Sequence, residues 1–206
     1  LVYAAGIERR KGLGVLLRAL RSLGDGYEGA TLDICGSDLQ ERRYGRLVPP
    51  VWEGRVRFHG RVPRKTVAGL LRGADVFCAP SLGPESAGVS LLEAMACGAA
   101  VLASDIPGYD EVLVNEGTGL LVPPRDVKGL AAGLSRLLGD AELRRRLAGH
   151  ALRAVRRYDW ERVAGEVLEV YEEVASRRRH PLPRRRRQQR ELFADFHIHS
   201  HHSKDC

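Results

Sequence analysis

The chain has 206 residues, 44% of them apolar and 29% charged, with a formal charge of +7, which is enough for one sizeable core plus an appendage. From Arg177 onward nine Lys or Arg face three acids, whereas residues 1–176 hold 24 against 23, so the basic charge belongs to the tail and the body offers no electrostatic case for nucleic acid. No apolar run approaches the roughly 20 residues that span a bilayer, and no signal-peptide pattern opens the chain.

In chain order, "LVYAAG" reads as a first strand and "KGLGVLLRALRSL" as an amphipathic helix. "ATLDICG" and "VRFHG" are the next strands, then "RKTVAGLLRGA" a helix, then "DVFCAPS", "AVLAS" and "GLLVPP" further strands. Apolar runs alternating with helical periodicity predict an α/β fold: a Rossmann-like parallel sheet of about six strands, helices on both faces. Residues 125–176 read as consecutive helices. Cys35, Cys78, Cys97 and Cys206 show no metal spacing, and three lie in apolar runs, as expected of reduced thiols in a cytosolic protein. The chain lacks an initiator Met and opens in mid-pattern, which reads as a fragment.

The segment "PESAGVSLLEAMACG", residues 84–98, follows the strand "DVFCAPS". In a parallel α/β sheet, ligands sit beyond the carboxyl ends of the strands. A helix start there offers unpaired N–H groups and partial positive charge, which suits a phosphate. Gly88 permits close approach to that backbone. Glu93 lies about five residues into the helix, roughly 7 Å along its axis, and Glu85 lies on the other side of the helix start. A diphosphate held between them has a carboxylate towards each end, and carboxylates accept hydrogen bonds from paired hydroxyls. A nucleotide sugar fits that layout, with ribose at one end and hexose at the other. The basic cluster Arg9–Arg10–Lys11 at another helix start is disfavoured by the helix dipole unless an anion offsets it.

These stretches, with "RRKGLGVLLRAL", "AVLASDIPGYDEVL", "GTGLLVP" and "YDWERVAGEVLEVYEEV", resemble the carboxyl-terminal, donor-binding half of the family-4 retaining glycosyltransferases of GT-B fold. The resemblance covers residues 1 to about 176. Within the family the chain looks most like the phosphatidylinositol mannosyltransferases, at "ADVFCAPSLGPES" and "YDWERV". It implies that Glu93 holds the ribose hydroxyls and that Glu85 contacts the donor sugar and helps to place its anomeric carbon. The amides near Gly88 and Val89 would bind the diphosphate, Lys11 a phosphate, and Val62 the base through backbone groups. The implied reaction is retaining transfer of a hexose, mannose first among the candidates, from a GDP- or UDP-linked donor to a lipid-linked or glycan acceptor. The acceptor would be held by an amino-terminal domain that this chain lacks, so the chain alone should bind nucleotide and transfer nothing.

Two departures from the family stand out. The arginine expected five or six residues before Lys11 is replaced by Ala5 and Gly6, so Arg9 or Arg10 substitutes for it or phosphate binding is weakened. The basic "PRKT" after Val62 leaves the base open between guanine and uracil. No Asp-x-Asp pair is present. Lys11 and the helix start would therefore stabilise the leaving diphosphate without a metal or other cofactor. No G-x-G-x-x-G follows the first strand, which disfavours a dinucleotide-binding dehydrogenase.

Residues 177–190 read as a solvated Arg-rich linker, and 191–206 as the truncated start of another domain. There, "ADFHIHSHHS" resembles the first motif of PHP-domain phosphoesterases, with Asp195, His197, His199 and Ser203 matching it. On a strand His197 and His199 face one side and reach one metal ion, although the remaining ligands of such a site are not in this chain. The alternatives are thus a fusion fragment carrying a PHP-type phosphoesterase, or a non-catalytic Rossmann-like module whose basic tail binds nucleic acid. The leading reading expects no specific nucleic acid partner. It places the chain in the cytoplasm, with peripheral association at the inner face of the plasma membrane where the acceptor is a lipid.

Overall fold

A computed structural model describes residues 1–177 apart from positions 7, 38 and 87; the arginine-rich run beyond 177 and the expected metal ligands His197 and His199 lie outside the described residues. The chain divides into two units, Leu1–Ala164 and a second beginning at Gly165.

In the first unit the strands are β1 (Val2–Ala4), β2 (Leu32–Cys35), β3 (Val56–Gly60), β4 (Val76–Ala79), β5 (Ala100–Ser104) and β6 (Leu120–Val122). They form one all-parallel sheet in the order β3-β2-β1-β4-β5-β6. The helices are α1 (Leu13–Leu23), α2 (Gln40–Tyr44), α3 (Arg64–Arg72), α4 (Val89–Ala96), α5 (Val127–Gly139), α6 (Ala141–Ala154) and α7 (Trp160–Arg177). Among the described residues the second unit is the part of α7 from Gly165 onward.

Both sheet faces are covered, and the strands show it residue by residue. Successive side chains point to opposite faces. Tyr3, Ile34, Cys78 and Leu102 join α1 and α5 in one core, while Val2, Phe77, Val101 and Ala103 join α3 and α4 in the other. This is why the strands read as continuous apolar runs rather than as an alternating pattern. Helix α5 packs so closely that a Cβ at Gly133 would fall 2.8 Å from Leu102 Cδ1. Asp126 and Asp140 start α5 and α6, their side chains accepting the Gly129 and Leu143 N–H groups at 2.9 and 2.8 Å.

The sheet confirms the expected α/β class, with two local differences. Residues 9–11 form a separate 3₁₀ turn ahead of α1 instead of its first turn. The break is at Gly12, whose φ of 77° is left-handed and whose Cβ, were there one, would collide with the Pro80 carbonyl. Helix α2 is one and a half turns long, too short for its periodicity to announce it. Strand order reverses between β1 and β4, and a crevice opens beyond the carboxyl ends of such a pair.

Candidate functional site

Two cavities occupy that crevice. One, of about 290 Å³, is lined by Lys11, Ser81, Glu85, Gly88, Val89 and Tyr109 among others. The second, of about 750 Å³, includes Glu8, Ser37, Arg61, Val62 and Glu93. Ala4, Ala5 and Gly6, at the end of β1, line both. All six site residues expected from the transferase motifs therefore line one or other of two adjoining cavities. Lys11, Glu85, Gly88 and Val89 share the first, and Val62 and Glu93 the second.

The local chain explains the placement. The Leu82 N–H donates to the Arg10 carbonyl at 2.6 Å, which ties the 9–11 turn to the loop after β4. Tyr3 Oη donates to the Lys11 carbonyl at 3.3 Å from the core side. The Glu85 N–H donates to the Pro107 carbonyl at 3.1 Å, seating the Glu85 loop on the turn after β5. Gly108 makes that seat possible: its φ is 88°, and a side chain there would strike the Glu85 carbonyl.

Glu85 is the centre of the first cavity. Lys11 Nζ donates to both of its oxygens at 2.8 and 2.9 Å, Arg10 Nη1 to Oε1 at 3.0 Å and Ser81 Oγ to Oε1 at 3.1 Å. Ser81 Oγ is also 3.1 Å from the Tyr109 hydroxyl. Burial opposes ionisation of Glu85, but hydrogen bonding and charge from Lys11, with Ser81 and Arg10 adding, outweigh it and hold the carboxyl below its usual range. The same enclosure raises the Tyr109 phenol, burial leading and its bond to Ser81 opposing. Glu85 and Glu8 thus offset the cluster at residues 9–11: Glu85 accepts from Arg10 and Lys11, Glu8 accepts from Arg10 Nε at 2.5 Å, and neither bonds to Arg9.

Above this cluster stands the start of α4. Gly88, at φ 53°, precedes it, no side chain caps it and its first turn holds no acid. Its leading N–H groups are left unpaired by helical geometry and carry the positive end of the helix dipole. They line the same cavity as Lys11, whose resident counter-ion is Glu85. On the other side of α4, Glu93 borders the second cavity, and Arg64 Nη2 donates to it at 3.1 Å from the start of α3.

Several participants were not foreseen. Ser81 and Tyr109 are spread over residues that meet only through the fold, although both stand inside the motifs "APSLGPES" and "DIPGYDEVL". The choice between Arg9 and Arg10 as stand-in for the missing arginine needs the direction of a short turn, and Arg10 is the one beside Lys11. Arg64, in the basic "PRKT" stretch that opens α3, gives no sign in sequence that it pairs with Glu93.

Comparison with known proteins agrees with this architecture. Residues 1–153 match the family described as glycosyl transferases group 1. The phosphatidyl-myo-inositol mannosyltransferase of Mycolicibacterium smegmatis is 42% identical over 171 residues, which cover 82% of this chain and 43% of that protein. The glycogen synthase of Mycobacterium tuberculosis is 34% identical over 189 residues, covering 89% of this chain and 45% of that one. Among solved structures, sucrose-phosphate synthase from Thermosynechococcus elongatus superposes with a TM-score of 0.74 at 31% identity, over 85% of this chain and 45% of its own. The chain spans a little under half the length of each of these relatives. It belongs to the group 1 glycosyl transferases.

Proposed function

We propose that residues 1–176 are the nucleotide-sugar-binding half of a retaining hexosyltransferase. The observation that carries this reading is the pair of adjoining cavities, one bearing Glu85 and Lys11 at the start of α4, the other bearing Glu93 and Val62. The diphosphate lies on the first N–H groups of α4 and on Lys11, with Arg10 supplying the charge lost at Ala5 and Gly6. The ribose donates its hydroxyls to Glu93, and the base lies beside Val62. Glu85 faces the hexose, accepting its hydroxyls and orienting the anomeric carbon. As the sugar–phosphate bond breaks, positive charge develops on the sugar and negative charge on the leaving diphosphate; Lys11, Arg10 and the helix end stabilise the latter. In this reading the diphosphate's charge is met by protein groups, without a divalent metal.

Mannose as the hexose and a lipid-linked acceptor are supported by the name of the 42% identical relative. The acceptor belongs to a second domain, and lipid as acceptor implies work at a membrane surface. Among the described residues no helix is long and apolar enough to cross a membrane. Thermal denaturation of the 206-residue chain tests the reading. A ligand at about 100 times its Kd adds roughly 2.7 kcal/mol of stability. GDP-mannose or a UDP-hexose is therefore expected to raise Tm, equally with and without EDTA, and Lys11→Ala to remove most of the rise. A folded chain whose Tm no nucleotide sugar changes would overturn the proposal.

A further inference from the structure

The three consecutive cations at residues 9–11 do not share one destination. Arg10 and Lys11 turn to Glu85, but Arg9 lines a different cavity of about 300 Å³, which it shares with Arg18 of α1 and Arg43 of α2. None of that cavity's lining residues belongs to the two donor cavities. Arg9, Arg18 and Arg43 are exposed at the rim of this cavity, and among the described residues no carboxylate or hydrogen bond engages their guanidinium groups, which water solvates. The aromatic ring of Tyr44 lies 5.6 Å from the Arg43 guanidinium. Gly12 and Gly14 form part of the wall where α1 begins, an end with no side-chain cap and no acid in its first turn.

The geometry points to a second anion site here, for a phosphate ester. Three guanidinium groups around one small cavity repel one another, and the positive end of α1 adds to that repulsion. An anion among them is attracted to each guanidinium and to the helix end, and so offsets that repulsion. Guanidinium forks match phosphate oxygens bidentately and keep their charge at any physiological pH, so three of them suit a dianion better than a single carboxylate. The apolar wall, Tyr44 with Leu47 and Val15, accommodates the carbon skeleton to which the phosphate is joined. The ester is the phosphate headgroup of a lipid or a free phosphorylated polyol; the chemistry of recognition is the same. The site does not depend on the donor reading, since it shares no residue with the donor cavities. It does share the 9–11 turn, so occupancy is one peptide unit away from the diphosphate cations.

The test is an amide and arginine-Nε NMR titration of the 206-residue chain with inositol monophosphate, against chloride at equal ionic strength. The expected result is a saturable shift at Gly12, Gly14, Arg18 and Arg43. It persists in Lys11→Ala and is weakened by at least about tenfold in Arg18→Gln/Arg43→Gln. A parallel arm sediments the same proteins with phosphatidylcholine vesicles with and without phosphatidylglycerol. Weaker anionic-vesicle binding by the double variant than by the parent, which carries the same basic tail, assigns the site to a lipid headgroup, and saturation by inositol monophosphate without such weakening assigns it to a soluble ester. Shifts no different from chloride, or a double variant that responds like the parent, would overturn the proposal. Unchanged Tm in the double variant shows that any loss is not unfolding.

Discussion

Glu85 accepts hydrogen bonds from Lys11, Arg10 and Ser81 at once, and the balance among those partners sets both its charge and its availability. Because its folded pKa is lowered, its ionisation stabilises the fold at neutral pH. That contribution is complete above the ordinary carboxylate value of 4.5 and is lost as pH falls through the depressed value. Urea unfolding of the parent and Glu85→Gln is expected to show a gap at neutral pH that narrows under acid; a gap independent of pH would contradict the assignment. The two glutamates eight residues apart are legible because their spacing brackets a helix start, which is a local matter. Their cations are legible only as a cluster. Which of three neighbouring side chains meets Glu85, 74 residues from Lys11, depends on a turn closed by Gly12 against Pro80, and nothing local encodes that contact.

At the scale of elements, loops hold the site and helices present it. The Glu85 loop rests on the turn after β5 only because position 108 has no side chain. Gly108→Ala imposes a left-handed conformation on a residue with a Cβ and pushes on the Glu85 carbonyl, and should destabilise the chain by about 1–3 kcal/mol. Gly69 is the contrast: it lies exposed inside α3, and a Cβ added there would meet nothing within 4 Å. Gly69→Ala should stabilise by about 0.5–1 kcal/mol. Urea midpoints of the two variants check both signs together. The sheet is legible because residues buried on both faces produce unbroken apolar runs, and parallel pairing follows from helices between them. The strand ends are not, since runs such as "LVYAAG" continue into the crevice as loop after the last ladder bond. The short α2 escapes a sequence reading for want of periodicity, although its Arg43 and Tyr44 shape the second anion cavity.

Over the whole molecule, the crevice between β1 and β4 collects residues from five separate segments into two cavities of different character. The first pairs Lys11 with Glu85 beside a helix start; the second is larger and bordered by Glu93 and the chain beside Val62. That division suits a ligand with a charged middle and two hydroxylated ends, and the chain spans under half of relatives that act on sugars by name. On the proposed reading, the 206-residue chain binds the nucleotide of the donor. Calorimetric titration of GDP and UDP into the 206-residue chain and its Glu93→Ala variant is the most direct check. Saturable binding of one nucleotide is expected, with a loss of about 1–3 kcal/mol in the variant, tenfold or more in affinity. Equal affinity in the two proteins, or no binding by a chain shown to be folded, would contradict it.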